Sequence, residues 1–152
     1  MPVLAYREAL NKRGGAAVRK PEFRGGAAIG ALRHIVVAET DAQARVIAKL
    51  NVDYHVNSLN WLRKMHATTE AQKTEVVRGL VPRGTTFEEW EQDGMAIAGA
   101  PGTVLAEIER QTGELGINYL LTYLFFGTMT LEQALRSLRL FSTEVMPKLE
   151  KL

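Results

Sequence analysis

The most regular hydrophobic patterns in this chain are two runs of strand length. Residues 31–38 form a mostly apolar run that ends in Ile-Val-Val-Ala, and β-branched residues favour strands. Residues 117–126 are apolar at both alternating sets of positions, which is typical of a parallel strand covered by helices on both faces. A shorter apolar piece at 94–99 is predicted to be β-like or extended. The pattern therefore predicts two strands of a parallel sheet.

Outside these runs, polar and apolar positions follow helical spacing. Residues 3–12 suit a short helix. Thr40 and Gln43 have the spacing of a capping box, in which each side chain accepts a hydrogen bond from the backbone N–H of the other residue, so a helix is predicted over 41–65. The more polar remainder of the helical excursion 41–93 is predicted to hold two short helices around a turn. The helices are placed at 70–78 and 86–92, and the turn at 82–84.

The tail of the chain predicts a helix, a strand and a helix in that order. Pro101 suits a first helical turn, and Gly116 suits the left-handed residue that ends a helix. Thr130 and Gln133 repeat the capping box, which predicts a last helix that begins at the residue after the threonine. Pro147 marks the end of this helix or a kink in it. The apolar residues that we expect to line it are Leu131, Ala134, Leu135, Leu138, Phe141, Val145 and Leu149.

This order of elements is typical of an α/β fold. It matches the last two β/α units of a (β/α)8 TIM barrel, and no internal repeat is present. A complete barrel needs eight strands and ~250 residues, so we predict a helix-rich partial barrel. Residues 1–152 would be a single C-terminal fragment, with a loose Gly-rich loop at 12–30. The strand at 117–126 needs neighbours on both edges, which predicts a homo-oligomer or a complementary N-terminal barrel chain.

Composition and charge exclude several classes of protein. Hydrophobic residues make up 46% of the chain and charged residues 24%, which is enough apolar surface for a core. The net charge is only +2, and the absence of cysteine excludes disulfides, thiolate catalysis and cysteine-based metal sites. No apolar run reaches the ~18–20 residues of a membrane span, and the N-terminus lacks the apolar run of a signal peptide. We therefore expect a cytoplasmic protein that binds neither membrane nor nucleic acid.

The three histidines do not have the spacing of metal ligands. His34 lies in the first predicted strand, His55 lies in the helix that follows, and His66 lies at the carboxyl end of that helix. The His-Glu-x-x-His motif is absent. The favoured interpretation is a structural role for His34 and surface positions for the other two. No metal site is predicted.

Two places at the predicted carboxyl ends of strands are candidates for a binding site, because barrel enzymes place their working groups there. Glu39 follows the first strand, whereas the nearby Asp41 is interpreted as a helix-start residue. Phe125 and Phe126 end the second strand, and Gly127 follows it. The two rings are candidates for the walls of an apolar pocket, and the glycine for close approach of a ligand to the backbone. The alternative interpretation is core packing followed by a turn glycine.

Several motifs in the tail resemble the C-terminal end of bacterial luciferase-like flavin-dependent monooxygenases. They are Gly99-Ala-Pro-Gly-Thr-Val104, Gly116-Ile-Asn-Tyr-Leu-Leu, Phe126-Gly127, Glu132-Gln-Ala-Leu-Arg-Ser-Leu-Arg-Leu-Phe141 and Glu144-Val-Met-Pro147. Upstream, two further segments are similar to the family: Tyr6-Arg-Glu-Ala-Leu10 and Arg33-His-Ile-Val-Val-Ala-Glu-Thr-Asp-Ala-Gln-Ala44. The likeness is strongest over residues 94–149.

The resemblance implies a (β/α)8 barrel that uses reduced FMN, or the deazaflavin F420 in some branches, with a flavin reductase as partner. In that family the flavin lies at the carboxyl ends of the strands, and residues 41–93 correspond to the region of a mobile lid. The catalytic histidines of the family lie on early strands that have no counterpart here, so no catalytic residue is transferred to this chain. The expected function is therefore that of an FMN-dependent monooxygenase that is incomplete as a single chain.

Two other functions are consistent with the sequence. A non-catalytic remnant would act as an oligomerisation or partner-binding module through its apolar strands and its Leu-rich last helix. An RNA-binding protein would use the segment 1–24, which carries six basic and two acidic residues, and its affinity would fall steeply with salt.

Overall fold

The computed structural model describes residues 2–12, 29–66 and 86–149. In chain order its elements are α1 Pro2–Lys12, β1 Gly30–Val37, α2 Asp41–His66, α3 Phe87–Gln92, β2 Ala96–Gly99, α4 Pro101–Leu115, β3 Tyr119–Tyr123, α5 Leu131–Leu140, a π-helical turn Phe141–Val145 and α6 Met146–Leu149. None of the helices in these ranges is long and apolar enough to cross a membrane.

The three strands form a parallel sheet in the order β2-β1-β3. The carboxyl half of β1, residues 34–37, pairs with β2, and its amino half, residues 30–34, pairs with β3. In a barrel, strands that follow each other in the chain are neighbours. Here β3 follows β2 in the chain but lies on the far side of β1. The described residues therefore form an open parallel α/β sheet, and the partial (β/α)8 barrel stays a prediction.

Helices cover both faces of this sheet. Alternate residues of a strand point to opposite sides, so β1 contributes side chains to two separate cores. On one face, Val36 and Ala38 pack against α2, α3 and the loop after β3. On the other face, Ile35 and Val37 pack against α4 and the last helical segment. The buried residues of the first core are Val36, Ala38, Ala44, Ala48, Val52, Val56, Phe87, Trp90, Ala96, Ala98, Phe126, Met129 and Ala134. Those of the second core are Ile35, Val37, Ile97, Val104, Ile108, Phe141 and Val145.

The helix-boundary signals in the sequence are largely confirmed. Thr40 Oγ1 accepts from the Gln43 N–H at 3.3 Å, and α2 runs without a break over the predicted range. Thr130 forms a complete capping box, Pro101 opens α4, and Gly116 ends α4 with a φ of 65°. The predicted helices at 3–12 and 86–92 are present as α1 and α3. The predicted loop 12–30 lies almost wholly outside the described residues, and the predicted helix 70–78 and turn 82–84 lie outside them entirely.

The third strand was only partly predicted from the sequence. Residues 96–99, within the piece predicted to be β-like or extended, form β2, and all four of its residues are buried. Four residues, most of them alanine and glycine, are too few to show a strand pattern in the sequence. Their strand conformation comes from pairing with β1 between two helical layers.

The prediction that the strand at 117–126 is covered on both faces was also wrong. β3 is limited to Tyr119–Tyr123, lies at an edge of the described sheet and alternates between exposed and half-buried residues. Leu120 packs against the second core, whereas Tyr119, Leu121 and Tyr123 are exposed. An apolar residue at every position does not by itself say whether a second layer is present to cover it.

The predicted lining of the last helix is confirmed in part. Ala134, Phe141 and Val145 are buried, and Leu149 packs against the second core. Leu131, Leu135 and Leu138 are exposed instead, and Ser137, which was not predicted to line the helix, is buried. Pro147 does not end the helix, because a π-helical turn precedes it and the helix continues to Leu149. A proline clashes with the carbonyl four residues earlier in a regular α-helix, and the wider π-helical turn is one way in which a helix accommodates such an irregularity.

Candidate functional site at the carboxyl edge of the sheet

A cleft lies at the carboxyl end of β1, where the strand order reverses. The chain leaves β1 to form β2 on one side and later returns to form β3 on the other. In open parallel sheets, ligands bind outside the carboxyl ends of strands at such a reversal. The cleft has a volume of about 270 Å³. It is lined by Val37, Ala38 and Glu39 after β1, Gln43 and Ile47 of α2, and Glu132, Gln133 and Arg136 of α5.

The cleft exists because β3 is too short to follow β1 to its end. β3 stops opposite His34, so Val37 has no β3 residue beside it. Instead, the Val37 N–H donates to Ser137 Oγ of α5 at 2.9 Å, and this serine is buried. A side chain of α5 thus replaces the missing strand, and the first turns of α2 and α5 border the space above it.

Two charged groups of the cleft, Arg136 and Glu39, are paired with each other. Arg136 Nε donates to Glu39 Oε1 at 2.6 Å, which joins α5 to the end of β1. The hydrogen bond from Arg136 lowers the pKa of the exposed Glu39 carboxyl from its usual value. Glu39 is therefore a carboxylate at neutral pH and is not suited to act as a general acid.

The helix starts beside the cleft are already capped by their own side chains. Thr130 Oγ1 accepts from the Gln133 N–H at 3.2 Å, and Gln133 Oε1 accepts from the Thr130 N–H at 3.0 Å.

Asp41 Oδ1 accepts from the Ala100 N–H at 2.7 Å, and this bond, with one from Thr103, lowers the pKa of Asp41. As the sequence indicated, Asp41 has a structural role. It ties the start of α2 to the start of α4.

The candidate residues after β3 lie apart from Glu39. Phe126 is buried in the first core, Phe125 is exposed, and neither residue lines the cleft. Gly127 has a φ of 64°, and a Cβ at this position would lie 2.5 Å from the Asn51 carbonyl oxygen. Its backbone freedom therefore permits close packing on α2. A role in ligand approach at this glycine stays a prediction.

A cluster of aromatic rings around His34 is the feature of the molecule that the sequence did not indicate. His34 is 6% exposed, and its ring centroid lies 4.9–5.1 Å from four other rings. The four are those of His55, Trp90, Tyr123 and Phe126. Burial, with a smaller contribution from the nearby His55, lowers the pKa of His34 to about 4. His55 was expected at the surface, but it packs into this cluster, and burial lowers its pKa as well.

The His34 cluster has the features of a packed core. His34 Nε2 is buried and has no hydrogen-bond partner among the described residues. The structural role predicted for this histidine agrees with its surroundings. In the described ranges, no group of three or more histidine, aspartate or glutamate side chains has the geometry of a metal site.

A larger cavity of about 320 Å³ lies at the opposite, amino end of the sheet, between α4 and β3. Its lining is mainly apolar and contains no carboxylate, imidazole or cationic side chain. The carboxyl-edge cleft is the better candidate for chemistry because it holds the charged groups and lies at the strand reversal.

The described residues alone do not fit a flavin. Ligand pockets commonly have volumes of ~300–1000 Å³, and the carboxyl-edge cleft is smaller than this range, at about 270 Å³. Its one cationic group, Arg136, is engaged by Glu39, and a second carboxylate, Glu132, lies beside it. Two carboxylates beside one guanidinium disfavour a phosphate group. A flavin site would therefore require further residues.

Comparisons with known proteins give a fold likeness only. No known family model matches the sequence, and no curated protein matches it. The monooxygenase RslO1 from Streptomyces bottropensis is structurally similar over 97% of this chain, with a TM-score of 0.56 and 19% sequence identity. The apo form of MsnO8 is similar over 90% of this chain and 40% of its own, with a TM-score of 0.44 and 18% identity. This chain spans only 36% of RslO1, so its α/β fold recurs in about a third of that longer chain.

Proposed function

We propose that this chain forms part of a flavin-dependent monooxygenase of the luciferase-like family, and that a second polypeptide completes the cofactor pocket. The observation that carries the proposal is the likeness to RslO1, a monooxygenase, over 97% of this chain. The motifs of the tail that resemble the luciferase-like family support it. The cleft at the carboxyl edge is consistent with it, because the flavin of that family lies at the carboxyl ends of the strands.

The proposed cofactor is reduced FMN, or F420 in its place, and a flavin reductase is the proposed partner that supplies it. In such enzymes the cofactor carries the chemistry, while the protein binds and orients it. The second polypeptide is a further copy of this chain or a chain that carries the missing strands of a barrel. In either case Arg136 and Glu39 would lie at the boundary between the two parts.

The test is to isolate the tagged chain from its source organism with any accompanying polypeptide and to identify bound flavin by absorbance and mass spectrometry. We expect FMN or F420 in the isolated complex. Arg136→Ala should lower the occupancy, because it removes the positive charge that offsets Glu39 and Glu132 and leaves two carboxylates beside an anionic cofactor. Arg139→Ala is the matched control, because Arg139 is exposed on the same helix but does not line the cleft.

A complex that contains no flavin and takes up neither FMN nor F420 on dialysis would contradict the proposal. Bound flavin with equal occupancy in the Arg136→Ala and Arg139→Ala variants would leave the proposed function standing. It would also mean that the cofactor binds outside the carboxyl-edge cleft.

The alternative function is a non-catalytic module that binds another protein chain. It is favoured by the exposed leucines of α5 at positions 131, 135 and 138, which lie on one side of the helix. Under this alternative the chain would be isolated in a stable complex without flavin, and Leu135→Lys would dissociate that complex. Under the monooxygenase proposal the same complex would contain flavin.

A further inference from the structure

The outermost described strand presents a single apolar patch. Leu121 is 45% exposed and Tyr123 is 39% exposed, and both lie on β3. Leu32 of β1 is opposite Leu121 in the sheet and is 52% exposed. Residues that are paired across neighbouring strands point to the same face, so these side chains form one continuous surface. Tyr119, also exposed, lies at the amino end of that surface.

The sequence of β3 lacks the residues that commonly prevent an exposed sheet edge from pairing with another strand. Protein edges are commonly protected by charged residues, proline or bulges. The sequence of β3 is Tyr-Leu-Leu-Thr-Tyr, which contains no charge, no proline and no glycine. Among the described residues, no strand pairs with its outer side. Such an edge is suited to pairing with another strand.

The order of residues in β3 indicates what that other strand is. The sequence reads almost the same in both directions, so it is complementary to itself in an antiparallel pair. With Leu121 opposite Leu121 of a second copy, Tyr119 lies opposite Tyr123 and Leu120 lies opposite Thr122. Aromatic pairs directly opposite each other on neighbouring strands stabilise a sheet. No like charges oppose one another in this register.

We propose that two copies of this chain pair antiparallel along β3, around a two-fold axis that passes beside Leu121. A two-fold interface uses the same surface on both subunits, and a self-complementary strand meets that requirement. The two three-stranded sheets would join into one sheet of about six strands. This inference does not depend on the flavin proposal, because it rests only on the sequence and exposure of β3.

Sedimentation equilibrium on the purified chain tests the proposal. We expect a dimer, and Leu121→Lys should raise its dissociation constant by about tenfold or more, because it places like charges opposite each other across the axis. Leu131→Lys is the control, since Leu131 is exposed on α5 and is not part of β3. Far-UV circular dichroism of both variants checks that they are folded.

A cysteine variant locates the interface without relying on dissociation. The chain has no cysteine, so Leu121→Cys introduces a single thiol. Directly opposite residues of an antiparallel pair have Cβ atoms about 4.5–5.5 Å apart, so the two thiols should form a disulfide-linked dimer on mild oxidation. Leu131→Cys should form this product much more slowly.

A chain that is monomeric at every concentration would overturn the proposal. So would a dimer in which Leu121→Cys forms no more disulfide than Leu131→Cys, because its interface would lie elsewhere. Stoichiometric binding of a different polypeptide at β3 in place of a second copy would overturn it as well.

Discussion

The imidazole of His34 lies where β1, α2 and the loop after β3 meet. Its ring contacts those of His55 on α2 and Phe126 in the loop, and its Nε2 atom is buried. An imidazolium at this position would be a buried charge among aromatic rings. Packing of three elements therefore requires the neutral form, which is why the pKa of His34 falls to about 4.

This burial predicts that stability falls in mild acid. The pKa of His34 is about 6.5 in the unfolded chain and about 4 in the folded one, so the unfolded chain takes up the proton first. Stability is then complete above about pH 6.5 and decreases as the pH falls from there to about 4, by up to about 3 kcal/mol. Urea unfolding at a series of pH values measures this change in the free energy of unfolding.

The contribution of His34 is isolated by comparison with a variant. His34→Phe keeps an aromatic ring and removes the titrating group, so its stability should depend less on pH in this range than that of the parent chain. His66→Gln is the control, because His66 is exposed at the end of α2. Equal pH dependence in the parent and in His34→Phe would mean that His34 is not buried as a neutral group.

Two glycines provide a matched test of backbone strain. Gly127 has a φ of 64°, and a Cβ there would lie 2.5 Å from the Asn51 carbonyl oxygen. Gly127→Ala is expected to destabilise the fold by about 1–3 kcal/mol. Gly113 lies within α4, and a Cβ there would meet nothing within 4 Å. Gly113→Ala should therefore stabilise the fold by about 0.5–1 kcal/mol. Thermal unfolding measures both, and effects of the same sign would contradict this difference.

At the scale of elements, α5 completes the hydrogen bonding of the sheet. β3 ends before the last residues of β1, and the Ser137 hydroxyl accepts from the N–H of Val37 in place of a strand. The same helix supplies Arg136, which bonds to Glu39. Helix α5 therefore both closes the core beside β1 and forms one wall of the carboxyl-edge cleft.

Removal of the Ser137 hydroxyl is expected to destabilise this junction. Ser137→Ala leaves the buried N–H of Val37 without a partner, which costs about 1–3 kcal/mol. Ser142→Ala is the matched control, since the Ser142 hydroxyl donates to the Arg139 carbonyl at an exposed position and its loss should change stability by less than about 0.5 kcal/mol. Chemical denaturation measures both variants. A Ser137→Ala protein as stable as the control would mean that the Val37 N–H finds another partner.

At the scale of the whole molecule, apolar side chains are exposed on several elements. The side of α2 that faces away from the sheet carries Leu50, Tyr54, Trp61 and Met65, all exposed. A helix at the surface of a protein commonly has a polar outer face. With β3 and the leucines of α5, this makes three exposed apolar surfaces among the described residues.

The two tryptophans report on this surface directly. Trp61 is 59% exposed and Trp90 is 4% exposed. Acrylamide should therefore quench the fluorescence of the Trp90→Phe variant, which retains Trp61, several-fold more strongly than that of Trp61→Phe. A partner that covers the outer face of α2 would remove this difference. Equal quenching in the two variants of the isolated chain would mean that Trp61 is covered by part of the chain itself.

The candidate site was only partly predictable from the sequence. Glu39 was identified by its place after a predicted strand, and it lines the cleft. Its partner Arg136 lies 97 positions further along the chain, and no local pattern connects the two residues. Phe126 was identified by the same rule as Glu39, but it belongs to the core. Position after a strand places a residue at the correct edge of the sheet and leaves open whether its side chain faces the cleft.

The sequence by itself determined where α2, α4 and α5 begin and where α4 ends. The capping residues Thr40 and Thr130, the opening Pro101 and the closing Gly116 act within one helical turn, so their effects do not depend on the rest of the fold. The tertiary structure decided the strand order, the exposed face of β3 and the surroundings of His34. These features depend on which distant segments pack together, because the burial of an apolar side chain is decided by its neighbours in space rather than in the chain.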